Sequence, residues 1–164
     1  YDRDLARAAL ETALLRARAA AKFSRAERMY FLREALEQAT SETVARHRAA
    51  SLQRRISARP RLLDLGCGIG GDTLALAAVA DVTAVDADAV RLAMAEQNVR
   101  AYEASATFHE GDGLTLDLPG EVVFVDPDRR VGGRRQLSIE SCEPTLTAVR
   151  EHFAHRAVIA KLAP

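Results

Sequence analysis

Lysine occurs only twice in this sequence, at Lys22 and Lys161, and cysteine only twice, at Cys67 and Cys142. The cysteines show no CxxC or zinc-ligand spacing, so neither a disulfide framework nor a metal site is indicated. Cys67 lies between two glycines, where a small side chain is a more natural requirement than a reactive thiol. No run approaches the roughly 20 apolar residues needed to cross a bilayer, and no signal-peptide pattern opens the chain. Cytoplasmic residence with no membrane partner is therefore expected. Net charge is zero over 164 residues, which excludes a uniformly basic or acidic polymer-binding chain.

Residues 1–57 contain neither proline nor glycine and are dominated by alanine, leucine, arginine and glutamate, a composition that favours helix throughout. The spacing predicts three helices: one from about Asp2 to Ala21, one capped by Ser24 with Glu27 completing a capping box, and one reaching about Ile56. Met29, Leu32 and Leu36 fall on one face of the second. Charge is asymmetric, since residues 1–60 carry 13 Lys/Arg against 7 Asp/Glu and residues 61–164 carry 10 against 16. An arginine-rich helical segment suits nucleic-acid phosphates, although arginine also simply fills exposed helix positions well.

From Arg61 the period changes. Leu62–Leu65, Val82–Val85, about Ala106–His109, Val122–Val125 and Ala157–Ala160 read as short strands. Helices are predicted at about Gly71–Val79 and Ala87–Tyr102 between them. Strands alternating with helices predict an α/β fold with a parallel sheet covered on both faces. The division expected is a helical region over residues 1–57 and a ligand-binding α/β domain over residues 58–164. Ligands of such sheets sit at the carboxyl ends of the strands, near the switch in strand order.

One such end carries Asp64-Leu65-Gly66-Cys67-Gly68-Ile69-Gly70. Gly66, Gly68 and Gly71 also satisfy G-x-G-x-x-G, so a nicotinamide-dependent oxidoreductase is a competing reading. Asp86, 20 residues after Gly66, would accept from ribose hydroxyls with either cofactor. Asp64 separates the two. An acid two residues before the first glycine suits the ammonium and sulfonium of S-adenosylmethionine and repels a pyrophosphate. A carboxylate merely capping local amides is the plainer account of Asp64.

Asp64–Gly70 resembles motif I of class I S-adenosylmethionine-dependent methyltransferases, and Val85-Asp86-Ala87 resembles their motif II. Glu110-Gly111-Asp112-Gly113 is similar to the segment after their third strand, where an acid meets the adenine amino group. Val125-Asp126-Pro127-Asp128 occupies the motif IV position. The resemblance covers residues 61–130 and implies a Rossmann-like class I sheet with a helical extension before it. It implies S-adenosylmethionine held by Asp64, Gly66, Cys67, Gly68, Gly70, Asp86, Ala87, Asp112 and Gly113, and chemistry at Asp126 and Pro127. That family has seven strands. Five are legible here, so the domain is expected to be C-terminally incomplete, or its open edge covered by a second copy in a homodimer.

A closer resemblance runs from Lys22-Phe23-Ser24-Arg25 and Leu36–Thr40 to Asp126-Pro127-Asp128-Arg129-Arg130. It is to bacterial methyltransferases with a THUMP-like domain, some of which are similar to trimethylguanosine synthases, and it implies RNA as the substrate class. The motif departs from the Asp/Asn/Ser-Pro-Pro-aromatic pattern of amino-group methyltransferases, because Asp128 replaces the second proline and Arg129 the aromatic. Arg129, Arg130 and Arg134 flank Gly132-Gly133, a loop suited to clamping a substrate phosphate or carboxylate, with Asp128 beside them. A paired, exposed loop is the plainer reading. His152 and His155 have no third ligand and read as a solvated pair. A non-catalytic S-adenosylmethionine- or RNA-binding module is the remaining alternative.

Overall fold

The computed structural model describes residues 2–56, 59–127, 142–162 and the backbone of 130–131 and 134–135. Helix α1 spans Arg3–Ala19. It begins where the Asp2 carboxylate accepts from the Asp4 and Leu5 amides, satisfying donors a helix start leaves free. Only Leu15 and Ala19 of α1 are buried. Leu5, Leu10 and Leu14 face solvent.

The expected Ser24 cap does not form. The chain makes a single 3₁₀ turn at Ala26–Arg28, and the next helix, α2, starts only at Arg33 and ends at Gln38. The reason is tertiary: the Ser24 amide donates to Glu42 Oε2 at 2.7 Å, and the Tyr102 hydroxyl donates to the same oxygen at 2.7 Å. Glu42, a residue remote in sequence, thus takes the role assigned to Glu27. Helix α3 follows over Glu42–Arg55.

Burial alone would raise the Glu42 carboxyl. The Ser24 amide, the Tyr102 and Ser24 hydroxyls and the Arg46 charge outweigh it and hold the group at about 2, below its ordinary 4.5. A depressed carboxylate adds stability that is present above its unfolded value and lost as pH falls through its folded one. Glu42→Gln is therefore expected to lower stability at pH 7 by on the order of 1 kcal/mol once solvent screening of the pair is allowed for. The deficit should shrink between about pH 5 and pH 2, as read by urea unfolding of the two proteins.

Strands β1 (Arg61–Leu65), β2 (Asp81–Asp86), β3 (Thr107–Glu110), β4 (Val122–Val125) and β7 (Ala157–Ala160) form a sheet in the order β3-β2-β1-β4-β7. Every pairing is parallel. This sheet matches the sequence expectation, and its central strands are apolar runs because both faces are covered. Leu62, Leu63, Val123 and Val125 are wholly buried. Strands β5 (Arg130–Val131) and β6 (Arg134–Arg135) form a separate antiparallel ribbon.

Between β1 and β2, regular helix α4 covers only Thr73–Leu76. It is shorter than predicted because the Arg59 guanidinium captures the carbonyls of Ala77, Ala78 and Ala80, ending the helix there. Helix α5 (Ala89–Ala101) is capped by Asp88, and α6 (Leu146–His152) by Thr145. The strand order reverses between β1 and β4, so the switch point lies over their carboxyl ends.

The two regions expected from sequence share one core. Leu15, Phe23, Met29 and Leu36 pack in the same cluster as Ile69, Leu74 and Val99. Asn98, wholly buried in α5, ties them together. Its amide accepts from Tyr30 N and donates to the carbonyls of Tyr30 and Ile69, at 2.7–3.0 Å. Among the described residues no helix is long and apolar enough to cross a membrane.

Candidate functional site

A cavity of about 1100 Å³ opens over the switch point. Its floor is the loop between β1 and α4. There the amides of Gly66 and Cys67 both donate to the Val85 carbonyl, turning the chain sharply off the sheet. Gly66 and Gly68 hold positive φ, and a Cβ on either would meet nothing within 4 Å. Backbone is thus presented bare to the cavity, as close approach to a ligand requires.

The other two glycines named from sequence serve packing. Gly70 is not part of the lining; it combines φ +82° with a Cβ direction 3.2 Å from Ala95 on α5. Gly113 borders the cavity, but a Cβ there would overlap Leu65 Cδ1 and approach Val85 Cγ1 to 2.8 Å. Gly113→Ala is expected to cost about 1–3 kcal/mol by overpacking. That should lower the melting temperature by roughly 3–10 °C in a thermal melt.

Asp64 is 2% exposed, and the Thr73 hydroxyl donates to its Oδ2 at 2.6 Å. Among the described residues it caps no backbone amide. Burial pushes its carboxyl up to about 7 against the Thr73 bond, and the charges of Asp72, Asp126 and Asp86 push the same way. An acid raised this far regains its charge when a cation arrives. Asp86 ends β2, accepting from Gly68 N at 2.7 Å and Asp88 N at 2.9 Å, so it braces the glycine loop. Ala87 follows it on the rim. Asp112 is exposed at the cavity edge, where its carboxylate accepts from the Leu114 amide at 2.9 Å. Burial, reinforced by Asp64 and Asp86, pushes the Cys67 thiol well up, which fits a small filler rather than a nucleophile.

Asp126 and Pro127 close the far side at the end of β4. Here the structure adds residues the sequence reading missed. Lys161, just beyond β7, pairs with Asp126 and donates to Thr40 Oγ1 at 2.8 Å. Thr40 donates in turn to Asp72 Oδ2 at 2.7 Å, and Arg48 pairs with Asp72. Burial raises the Asp126 carboxyl, the Lys161 bond and charge lower it, Asp72 raises it and Arg48 lowers it. Lys161 carried a usable signal, because it follows a predicted strand as Asp86 and Asp126 do. Thr40 and Arg48 carried none; they arrive by the docking of the N-terminal helices.

Of the proposed substrate contacts, Asp128 and Arg129 lie outside the described residues. Arg130 and Arg134 fall on opposite strands of the β5–β6 ribbon. Ala35, Gln38 and Thr40 of the N-terminal region and Glu143 and Thr145 before α6 also border the cavity; Gln38 and Thr40 belong to the segment that carried the closer resemblance, and none of the five was given a site role from sequence. Arg91, in the same wall, ion-pairs through Nε with Asp88 Oδ2 at 3.5 Å, and that buried nitrogen makes no hydrogen bond among the described residues. Bare glycine backbone and a buried acid able to ionise together fit a ligand with cationic and polar parts.

The family described as a methyltransferase domain matches residues 62–126. An uncharacterized S-adenosylmethionine-dependent methyltransferase of Mycobacterium tuberculosis is 39% identical over 163 residues, covering 94% of this chain, in strain CDC 1551 and equally in H37Rv. The chain spans 44% of the length of those relatives. A solved structure from Porphyromonas gingivalis W83, described as a candidate methyltransferase, shares the fold at TM-score 0.65 and 23% identity, over 83% of this chain and 35% of that one. Motifs in order along the chain, the β3-β2-β1-β4-β7 sheet and these relatives place the chain in the class I S-adenosylmethionine-dependent methyltransferase family.

Proposed function

We propose that the protein transfers the methyl group of S-adenosylmethionine to an RNA nucleophile. The observation that carries the cofactor half is Asp64: a buried carboxyl just before bare glycine backbone, bordering a cavity that Asp126 of the adjacent strand also lines. In this reading Asp64 attracts the ammonium, Asp86 accepts from the ribose hydroxyls and Asp112 from the adenine amino group. When bound, the cofactor supplies an electrophilic methyl on a sulfonium. The Asp126 carboxylate and the Pro127 carbonyl orient an incoming donor group, and alignment supplies the larger part of the rate.

The RNA half draws on the resemblance to THUMP-like-domain methyltransferases and on the exposed arginines of the helical region, among them Arg7, Arg18 and Arg33. Arg130 and Arg134, with Asp128 and Arg129 beside them, would meet the substrate. A second copy against β7, an edge strand of the sheet among the described residues, belongs to the same reading, and mass by light scattering tests it: a stable monomer counts against it.

Calorimetric titration with S-adenosylmethionine, S-adenosylhomocysteine and NADH tests the cofactor. Binding of both adenosyl ligands without NADH is the expected result, and binding of NADH alone overturns it in favour of an oxidoreductase. Because Asp64 is held near 7, binding at pH 6 should release a proton, measurable by comparing buffers of different ionisation enthalpy. Tritiated methyl transfer to RNA then separates an enzyme from a module that binds and transfers nothing.

A further inference from the structure

Of the 23 basic residues only two are lysines, and both ammonium groups are directed at the same stretch of chain. Lys22 Nζ donates to the carbonyls of Leu36, Glu37 and Ala39 at 2.7, 3.0 and 2.9 Å. It thereby closes the end of α2, whose last carbonyls would otherwise be unmatched. A compact ammonium with three diverging donors fits three carbonyls gathered around one point; a flat guanidinium fork does not. Lys161 Nζ reaches the same stretch at Thr40 Oγ1 and, from there, the Asp126 carboxylate. The stretch is seated on the end of the glycine loop, since a Cβ on Gly71 would lie 3.3 Å from the Thr40 carbonyl.

Four charged side chains from four different parts of the fold meet here: Asp126 after β4, Lys161 after β7, Asp72 before α4 and Arg48 on α3. Two are cations and two are anions. Lys161 lies 3.9 Å from Asp72 Oδ2 as well as against Asp126. The charge of Asp126 in turn bears on Asp64, on β1, helping to raise its carboxyl. An ion pair between two exposed side chains would orient nothing, because each could swing freely. This lysine is different: its side chain is 22% exposed and its ammonium is also anchored to Thr40, itself fixed on Asp72.

We propose that Lys161 is a positioning residue for Asp126, holding the carboxylate in one orientation at the reactive edge by taking its own anchor from Thr40 of the docked N-terminal region. The inference rests on the reading of Asp126 as the group beside the reacting methyl. It makes the helical region part of the catalytic architecture: the segment that walls the cavity also fixes the angle of the carboxylate. Restricting the two side-chain torsions of Asp126 beforehand removes an ordering cost that the reaction would otherwise meet at every turnover.

The orientation and charge of Asp126 can be followed directly by NMR, from the couplings of its Cβ protons and the carboxyl carbon shift across pH. The proteins compared are the wild type, Lys161→Met, Lys161→Arg and Thr40→Val. The wild type is expected to show one Asp126 rotamer. Lys161→Met should average the rotamers and raise the carboxyl midpoint by about one pH unit or more, because an adjacent cation has been removed. Thr40→Val keeps the cation and should average the rotamers with a smaller midpoint change. Lys161→Arg should restore the midpoint without restoring the single rotamer. One rotamer and an unchanged midpoint in Lys161→Met overturn the proposal. Should that variant not fold, a single unaltered rotamer in Thr40→Val does the same. A parallel titration with S-adenosylmethionine separates the two claims. Failure of the wild type to bind it removes the cofactor reading, whereas normal binding with Asp126 unmoved in the variants removes only the role of Lys161.

Discussion

Asp86→Ala is expected to weaken binding of S-adenosylmethionine by on the order of 10²-fold while leaving the folded state in place. A hydrogen bond to a charged acceptor is worth about 1.5–3 kcal/mol, and this carboxylate would receive the ribose hydroxyls. In the structure it is occupied by the Gly68 and Asp88 amides, so the ligand would inherit acceptors already aimed over the loop. Both amides lie where water can replace the lost carboxylate, which is why the fold should survive. Calorimetry for affinity and a thermal melt for stability read the two effects separately. Unchanged affinity with an unchanged melt removes Asp86 as a cofactor ligand. Lost affinity with a collapsed melt shows instead that bracing the glycine loop is its main work.

Asp126→Ala is expected to have the opposite profile. Affinity for S-adenosylmethionine should stay within a few-fold, while transfer of a tritiated methyl group to RNA falls by on the order of 10²-fold, as misalignment at a reacting centre does. The contrast follows from where the two carboxylates stand. Asp86 ends β2 and touches the glycine loop, whereas Asp126 follows β4, on the other side of β1, and is paired with Lys161. Equal transfer by variant and wild type under single-turnover conditions would remove Asp126 from the chemistry. Weaker cofactor binding in the variant would instead make it a ligand for the sulfonium.

The strands were legible because parallel, doubly covered strands must be apolar along their whole length. Val122–Val125, buried throughout, can be read directly from such a run; Ala157–Ala160 was legible from the same apolar pattern although it lies at the sheet's edge, only partly covered. The glycine loop and Asp86 were legible because a tight turn off a strand needs residues of a kind rare elsewhere, at fixed distance from the strand end. Helix boundaries were less legible. The Ser24 cap was a sound local inference, defeated because Glu42 offered the same amide a better-placed carboxylate. The end of α4 was likewise decided by Arg59, beyond any local rule.

By itself, then, the sequence determined the alternation of strand and helix, the position of the ligand loop and the acids at the strand ends. Each of these depends on neighbours a few residues away, and local pattern records such neighbours. Only the tertiary structure decided that the N-terminal helices share the core through Asn98, that Gly70 and Gly113 are packing positions, and that Thr40, Arg48, Asp72, Lys161 and Asp126 form one cluster. Thr40 and Lys161 are 121 residues apart in the chain, and nothing in either's local sequence marks the other. Their meeting is a consequence of how the helical region is seated on the sheet: hydrophobic burial supplies the drive, and the buried charges must then find partners wherever packing has placed them.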